Sequence, residues 1–319
     1  MAGYLAQRLL AVAGVLWVMS VLIFGIVHIL PGSVAHMILG EFALPDAVAT
    51  LEQKLGLNDP IHVQYWRWFS GLLRLDFGSS LVMERPAGPL IADALGRTAI
   101  LAGIAIVLVA IIGIALGVHS ATHRGTLSDR LLTLMQYFFI AVPEFFWCIV
   151  VIIVFAAWLG WLPATGYTPY AEGGLLGWAK HLILPVTTLV SGLIAHVSRL
   201  TRSSMLEALE SGYVLAARAK GVPERLVLRR HTLPNALLPT ITVLAVDVGI
   251  LIGGIVVVET VFAYPGLGRL LIFAIEHHDV PLLLAGMMVV TAVYAFANLA
   301  ADLLYAVLNP RIRYGRSVS

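Results

Sequence analysis

Apolar residues fall into six long runs along the chain, near 9–30, 98–118, 131–160, 181–198, 236–258 and 280–308, separated by shorter polar clusters. Each run is at or close to the ~20 residues that an α-helix needs to cross a bilayer. The pattern predicts an all-α polytopic chain with about six transmembrane helices. The first run, LLAVAGVLWVMSVLIFGIVHIL, is longer than the apolar stretch of a signal peptide, and no small-x-small cleavage site follows it, so it reads as a retained anchor. Pro185 and His196 interrupt the fourth run, which makes it the least regular span. The pattern divides the chain into residues 1–97, an anchor helix with a long loop, and residues 98–319, a transmembrane core.

The polar connections are unequal in charge. Segments 1–8, 119–130, 199–235 and 309–319 carry 13 of the 20 Lys and Arg, while the alternate set, 31–97, 161–180 and 259–279, carries 7 in a longer total stretch. Basic residues are retained on the cytoplasmic side, so both termini and the 199–235 loop are expected there. Residues 31–97 then form an outer segment. Its Trp66, Trp68 and Phe69 around Arg67 suit a short helix at the membrane interface, serving either as a packed cap or as a docking surface for an extracytoplasmic partner.

Composition reinforces the pattern. Sixty per cent of the residues are hydrophobic, 12% are charged, and mean hydropathy is +0.92. A water-soluble fold of this length cannot hide so much apolar surface, so lipid is the implied solvent. The net charge of +2 is too small to suggest nucleic acid as a partner. The one cysteine, Cys148, lies inside an apolar run and excludes an intrachain disulfide.

The densest basic segment, AARAKGVPERLVLRRHTLPN (216–235), separates two apolar runs. YVLAARAK favours helix, and Gly221 can end it in the left-handed conformation. Pro223 and Glu224 suit the start of a second helix, and Pro234 is expected to stop it. A loop that only fixed topology would need charge but not these punctuating residues. The expected element is therefore a structured one that docks on another protein, with Ala216, Ala217 and Ala219 offering a shallow surface.

Here the residues carry a resemblance. Ala216-Ala217, three residues, Gly221, nine residues and His231-x-Leu233-Pro234 resemble the EAA loop of binding-protein-dependent ABC importers, with Leu215 in place of the usual Glu and His231 in place of an Ile. ARAKG followed by LPNALLP, VVETVFAYPGLGRLL (257–271), NLAADLLYAVLNPRIRYG (298–315), LGLNDPIHVQYWRWFSGLL and DFGSSL are similar to segments of the peptide and nickel permease family. The resemblance implies a type I ABC importer fold and the first of two permease subunits, in a bacterial inner membrane, with dipeptides or oligopeptides as cargo or, alternatively, nickel or another small solute. It implies a second homologous permease, two ATP-binding subunits or domains that hold ATP and Mg, and an extracytoplasmic solute-binding protein. In that reading Ala216, Ala217, Ala219 and Gly221 fit a groove of the ATPase. Arg218, Lys220 and Glu224 fix the register, and Pro223, Leu233 and Pro234 shape the element.

Chemistry on this chain itself is sparse. The three lysines, Lys54, Lys180 and Lys220, do not follow glycine, so there is no phosphate-cradling P-loop, and no nucleophile elbow or zinc helix motif is present. No catalytic residue, metal ligand set or cofactor is expected. His277, His278 and Asp279 read as a polar loop end. Glu144 and Asp247 are ionisable residues inside apolar runs and so are candidates for a translocation path or, in a proton-coupled secondary transporter, for proton sites. His196 is expected to reach only the interface. Gly249, Gly253 and Gly254 permit close helix packing. The segment from Glu259 through Tyr264, Pro265, Gly266 and Gly268 predicts a tight outer turn, a re-entrant cap tying spans five and six, and the family resemblance implies either a binding-protein contact or part of an outer gate there. A membrane scaffold that only recruits a partner through its basic loop is a further alternative.

Overall fold

The computed structural model describes residues 2–29, 44–56 and 58–308. These residues are almost entirely helical: α1 (Ala2–Ile29), α2 (Pro45–Leu55), α3 (Ile61–Leu73), α4 (Ala87–Thr122), α5 (Leu127–Ala141), α6 (Glu144–Trp158), α7 (Tyr170–Leu209), α8 (Gly212–Ala219), α9 (Glu224–Val261), α10 (Leu267–Glu276) and α11 (Val280–Leu308). One two-stranded antiparallel ribbon, β1 (Ser79–Ser80) with β2 (Arg85–Pro86), interrupts them. Five of the described helices are long and apolar enough to cross a membrane, or six if α5 and α6 form one span.

Three expectations from the sequence change here. The run at 131–160 is not one straight helix: α5 and α6 meet at 105°. Proline disfavours helical backbone in the residue before it, and Val142 is extended (φ −94°, ψ 126°) ahead of Pro143. The fourth span is also longer than 181–198. It runs through Pro185, whose neighbours Leu184 and Val186 are buried on both sides, and continues to Leu209, well into the stretch expected to be loop. Pro234 does not stop the second helix of the basic segment. A π-helical stretch, Val227–Thr232, precedes it, and Pro234 falls in the first turn of Leu233–Val261, where a missing N–H is tolerated.

The chain forms two compact units, residues 1–98 with 265–296, and 99–264 with 297–319. Relative to a division at residue 97, the first unit gains α10 and the start of α11. In this unit, Tyr65 and Trp68 of α3 pack on Phe24 of α1, with ring centroids 5.5 Å apart in each case, and the Ser20 and Tyr65 hydroxyls are 2.8 Å apart. Trp66 stays exposed. Asp279 is fully buried. It accepts from the Ser80 hydroxyl and from the amides of Leu81 and Val82, so it ties the ribbon to the start of α11 rather than ending a polar loop.

In the second unit α7 is the central helix. Over its most apolar window 56% of α7 is buried, against 22% for α4 and α9, so the outer faces of those two helices remain for lipid or another subunit. The core joins Leu101 and Val109 of α4, Cys148 of α6, Leu182 and Val197 of α7, and Leu251 of α9. α4 approaches α7 closely because Gly113 and Gly117 present no side chains. A Cβ on Gly117 would lie 2.5 Å from Thr201 Cβ and 2.6 Å from the Ser198 carbonyl oxygen. This is the small-x3-small contact used by membrane helices.

Candidate functional site

The basic segment folds into a short rigid hairpin. α8 ends in a Schellman arrangement: the Val222 amide bonds the Ala217 carbonyl at 3.2 Å and the Gly221 amide bonds that of Arg218 at 2.9 Å. Gly221 has φ +76°, as this turn requires. Val222 packs with Val214, Ala217 and Val227 in a small cluster inside the hairpin. Pro223 precedes the first turn of α9, and Glu224 opens that turn. Arg218 then closes the loop with a bidentate contact to Glu224, at 2.6 Å and 3.1 Å, and also donates to the Leu209 carbonyl of α7 at 3.4 Å. The hydrogen bond to Glu224 raises the Arg218 guanidinium above its ordinary value.

Within this hairpin the alanines divide. Ala217 is buried and holds the element together, whereas Ala216 and Ala219 are exposed. Tyr213, Leu215 and Leu226 are also exposed. Lys220, Pro223 and Pro234 stay at the surface and Leu233 is half-buried. The outcome is a presented apolar surface with charged edges on a braced support.

The support includes residues that sequence reasoning missed. Asp129, almost fully buried, receives Arg202 through Nε and Nη2 at 2.8 Å and 2.9 Å, the Gly125 amide at 2.9 Å, and the Ser120 hydroxyl. This joins the ends of α4, α5 and α7. The available signal was TLSD (126–129), in which Thr126 caps α5 and Asp129 occupies its third position.

A second feature is a cavity of about 300 Å³ bounded by the α5–α6 break, α7 and α9. Glu144 opens α6 and lines it, so close to α9 that a Cβ on Gly254 would collide with the carboxylate. Trp147 and Phe139 form part of the wall, their ring centroids 4.8 Å apart. His196 and Arg199 of α7 also line it. Asp247 lies behind this lining, buried, with Oδ2 3.3 Å from His196 Nδ1. His196 is therefore a partner of Asp247, with its side chain still 39% exposed. Among the described residues, the Oδ1 atom of Asp247 and Nε1 of Trp147 are buried without hydrogen-bond partners.

The predicted outer turn is tightly packed. Glu259, Tyr264, Gly266 and Gly268 are buried and Pro265 is half-buried. Ala263 takes φ +52°, and Tyr264 meets Tyr167 edge-on at 5.4 Å.

Residues 113–314 match the family described as the binding-protein-dependent transport system inner membrane component, and residues 1–87 match the N-terminal membrane component of the same systems. The chain belongs to this family. It is 37% identical over 314 residues to the glutathione transport system permease protein GsiC of Salmonella paratyphi A, covering 98% of this chain and 100% of that one. It is 38% identical over the same length to GsiC of Escherichia coli K12, with the same coverage. Among solved structures, the inward-facing methionine ABC transporter MetNI aligns with TM-score 0.55 at 17% identity, over 69% of this chain and 96% of that one. The fold is that of a type I ABC importer permease. The chain is a multi-pass permease subunit of an ABC importer, not an enzyme, and ATP is hydrolysed by separate subunits. The family replaces the proton-coupled transporter and the simple scaffold as readings of Glu144, Asp247 and the basic hairpin.

Proposed function

We propose that this permease subunit moves short peptides, glutathione-like tripeptides included, across a bacterial inner membrane. It works with a second homologous permease, two ATP-binding subunits carrying ATP and Mg, and an extracytoplasmic solute-binding protein. Both termini and α8 face the cytoplasm. The observation that carries the reading is the braced hairpin: an exposed surface at Tyr213, Leu215, Ala216 and Ala219 is held on the ends of α7 and α9 by Gly221, the Arg218–Glu224 pair and a buried apolar cluster.

A switch needs an element that transmits force without deforming and a partner that binds one state better than the other. α8 supplies the first by docking in a groove of the ATPase. As the ATPase subunits close on ATP, α8 carries α7 and α9 with it, and those two helices wall the cavity. Glu144 and Asp247 belong to the translocation path. Glu259, Tyr264, Pro265, Gly266 and Gly268 form a packed outer gate, a role that suits their burial better than direct contact with the binding protein.

Purification of the tagged chain from its native membrane in mild detergent, followed by proteoliposome uptake, tests the proposal. A second permease and an ATPase should copurify, and the assembly with its binding protein should take up peptide on ATP addition. Uptake of nickel but not of peptide would replace the cargo, and recovery of the chain alone from a detergent that preserves such complexes would overturn the assembly.

A further inference from the structure

We propose that the cavity between the α5–α6 break, α7 and α9 is a recognition subsite for the cargo itself, sized for an extended peptide of about three residues. Its ammonium group meets Glu144 and its carboxylate meets Arg199. The inference rests on the peptide-importer reading above.

The two ends of the cavity differ in charge and are separated along one helix. Glu144 lies against Gly254, while His196 pairs with Asp247, seven residues earlier on α9. At 1.5 Å per residue the two levels are about 10 Å apart. Arg199 is one further turn along α7 from His196. Three fully extended residues span about 10 Å, so a tripeptide starting at Glu144 reaches the His196 level, one turn short of the Arg199 backbone and within range of its long side chain, in a cavity of about 300 Å³ that Arg199 lines.

The chemistry of each end fits that orientation. Glu144 is half-buried and makes no hydrogen bond or ion pair among the described residues. The rings of Phe139 and Trp147 beside it add π faces that attract an ammonium group. At the other end Arg199 is exposed and lines the cavity, while the His196 ring beside it is taken up through Nδ1 by Asp247. The Arg199 guanidinium at this position suits a carboxylate.

The test uses the purified assembly without its binding protein and measures binding of radiolabelled trialanine, with N-acetyl-trialanine and trialanine amide as competitors. The wild type should prefer trialanine over both. Glu144→Gln should weaken trialanine about tenfold, the size of a lost charge-assisted contact, and should remove the preference over the N-acetyl form only. Arg199→Gln, at an exposed position that the fold does not need, should remove the preference over the amide only. Both variants keeping wild-type discrimination, in an assembly that takes up trialanine with its binding protein, would overturn this subsite alone. Failure of the wild-type assembly to take up any peptide would overturn the cargo reading beneath it.

Discussion

Arg202 and Arg124 both contact a carboxylate, yet their surroundings give these contacts different weight. Arg202 meets an Asp129 whose side chain is 5% exposed, whereas the Arg124–Glu210 pair is 62% and 71% exposed. Removing Arg202 leaves a buried charge without its partner, at a cost of about 3–5 kcal/mol. Removing Arg124 should change stability by less than about 1 kcal/mol. In detergent-solubilised protein, Arg202→Ala should therefore lower Tm by many degrees and Arg124→Ala by almost nothing; equal shifts would contradict the clamp. Gly117 poses the complementary case. Its missing side chain admits Thr201 and the Ser198 carbonyl, so Gly117→Leu should push α4 from α7 and reduce the yield of folded protein, while Gly103→Leu, at a position with no neighbour within 4 Å, should be tolerated. Fluorescence size-exclusion profiles of the two variants decide this.

At the scale of elements, the hairpin separates docking from support. Ala216 is exposed and Ala217 lies beside Val214 and Val227. Ala217→Leu overpacks that cluster, which typically costs about 1–3 kcal/mol, and should raise proteolytic cleavage within 212–234 even in the isolated subunit. Ala216→Leu should leave that cleavage unchanged and weaken retention of the ATPase on purification. The same outcome for both variants would mean that the two alanines do not divide the work. Much of the hairpin was legible in the sequence, because Gly221, Pro223 and the helix-forming YVLAARAK are local signals. The Pro234 stop was misread because a π-helical stretch changes the register before the proline, and no local residue announces it. The division between Ala216 and Ala217 was hidden for a related reason. It depends on Val227, which returns to the cluster only after the turn.

For the whole molecule, hydropathy located the spans, since apolar length is a property of each segment alone. It did not show that α5 and α6 meet at 105°, although Pro143 marked the place, nor that α7, broken only by a kink at Gly174, continues to Leu209 as the central helix. Glu144 and Asp247 stood out as charges within apolar runs, but His196, Trp147 and Arg199 joined them only through the packing of three helices. His196 drew notice only as a polar break in its run, and Trp147 and Arg199 looked ordinary, because nothing near them along the chain signals a cavity. The central claim, that the hairpin transmits ATPase motion to the spans, is tested most directly by peptide uptake and ATP hydrolysis in proteoliposomes containing the whole assembly with Gly221→Val. Among the described residues of this chain no atom lies within 4 Å of a Cβ added at Gly221, so within the subunit the substitution acts through its φ of +76°, which a β-branched residue resists. The account predicts normal insertion and subunit recovery, with uptake per ATP hydrolysed reduced at least tenfold. An unchanged ratio in that variant would contradict it.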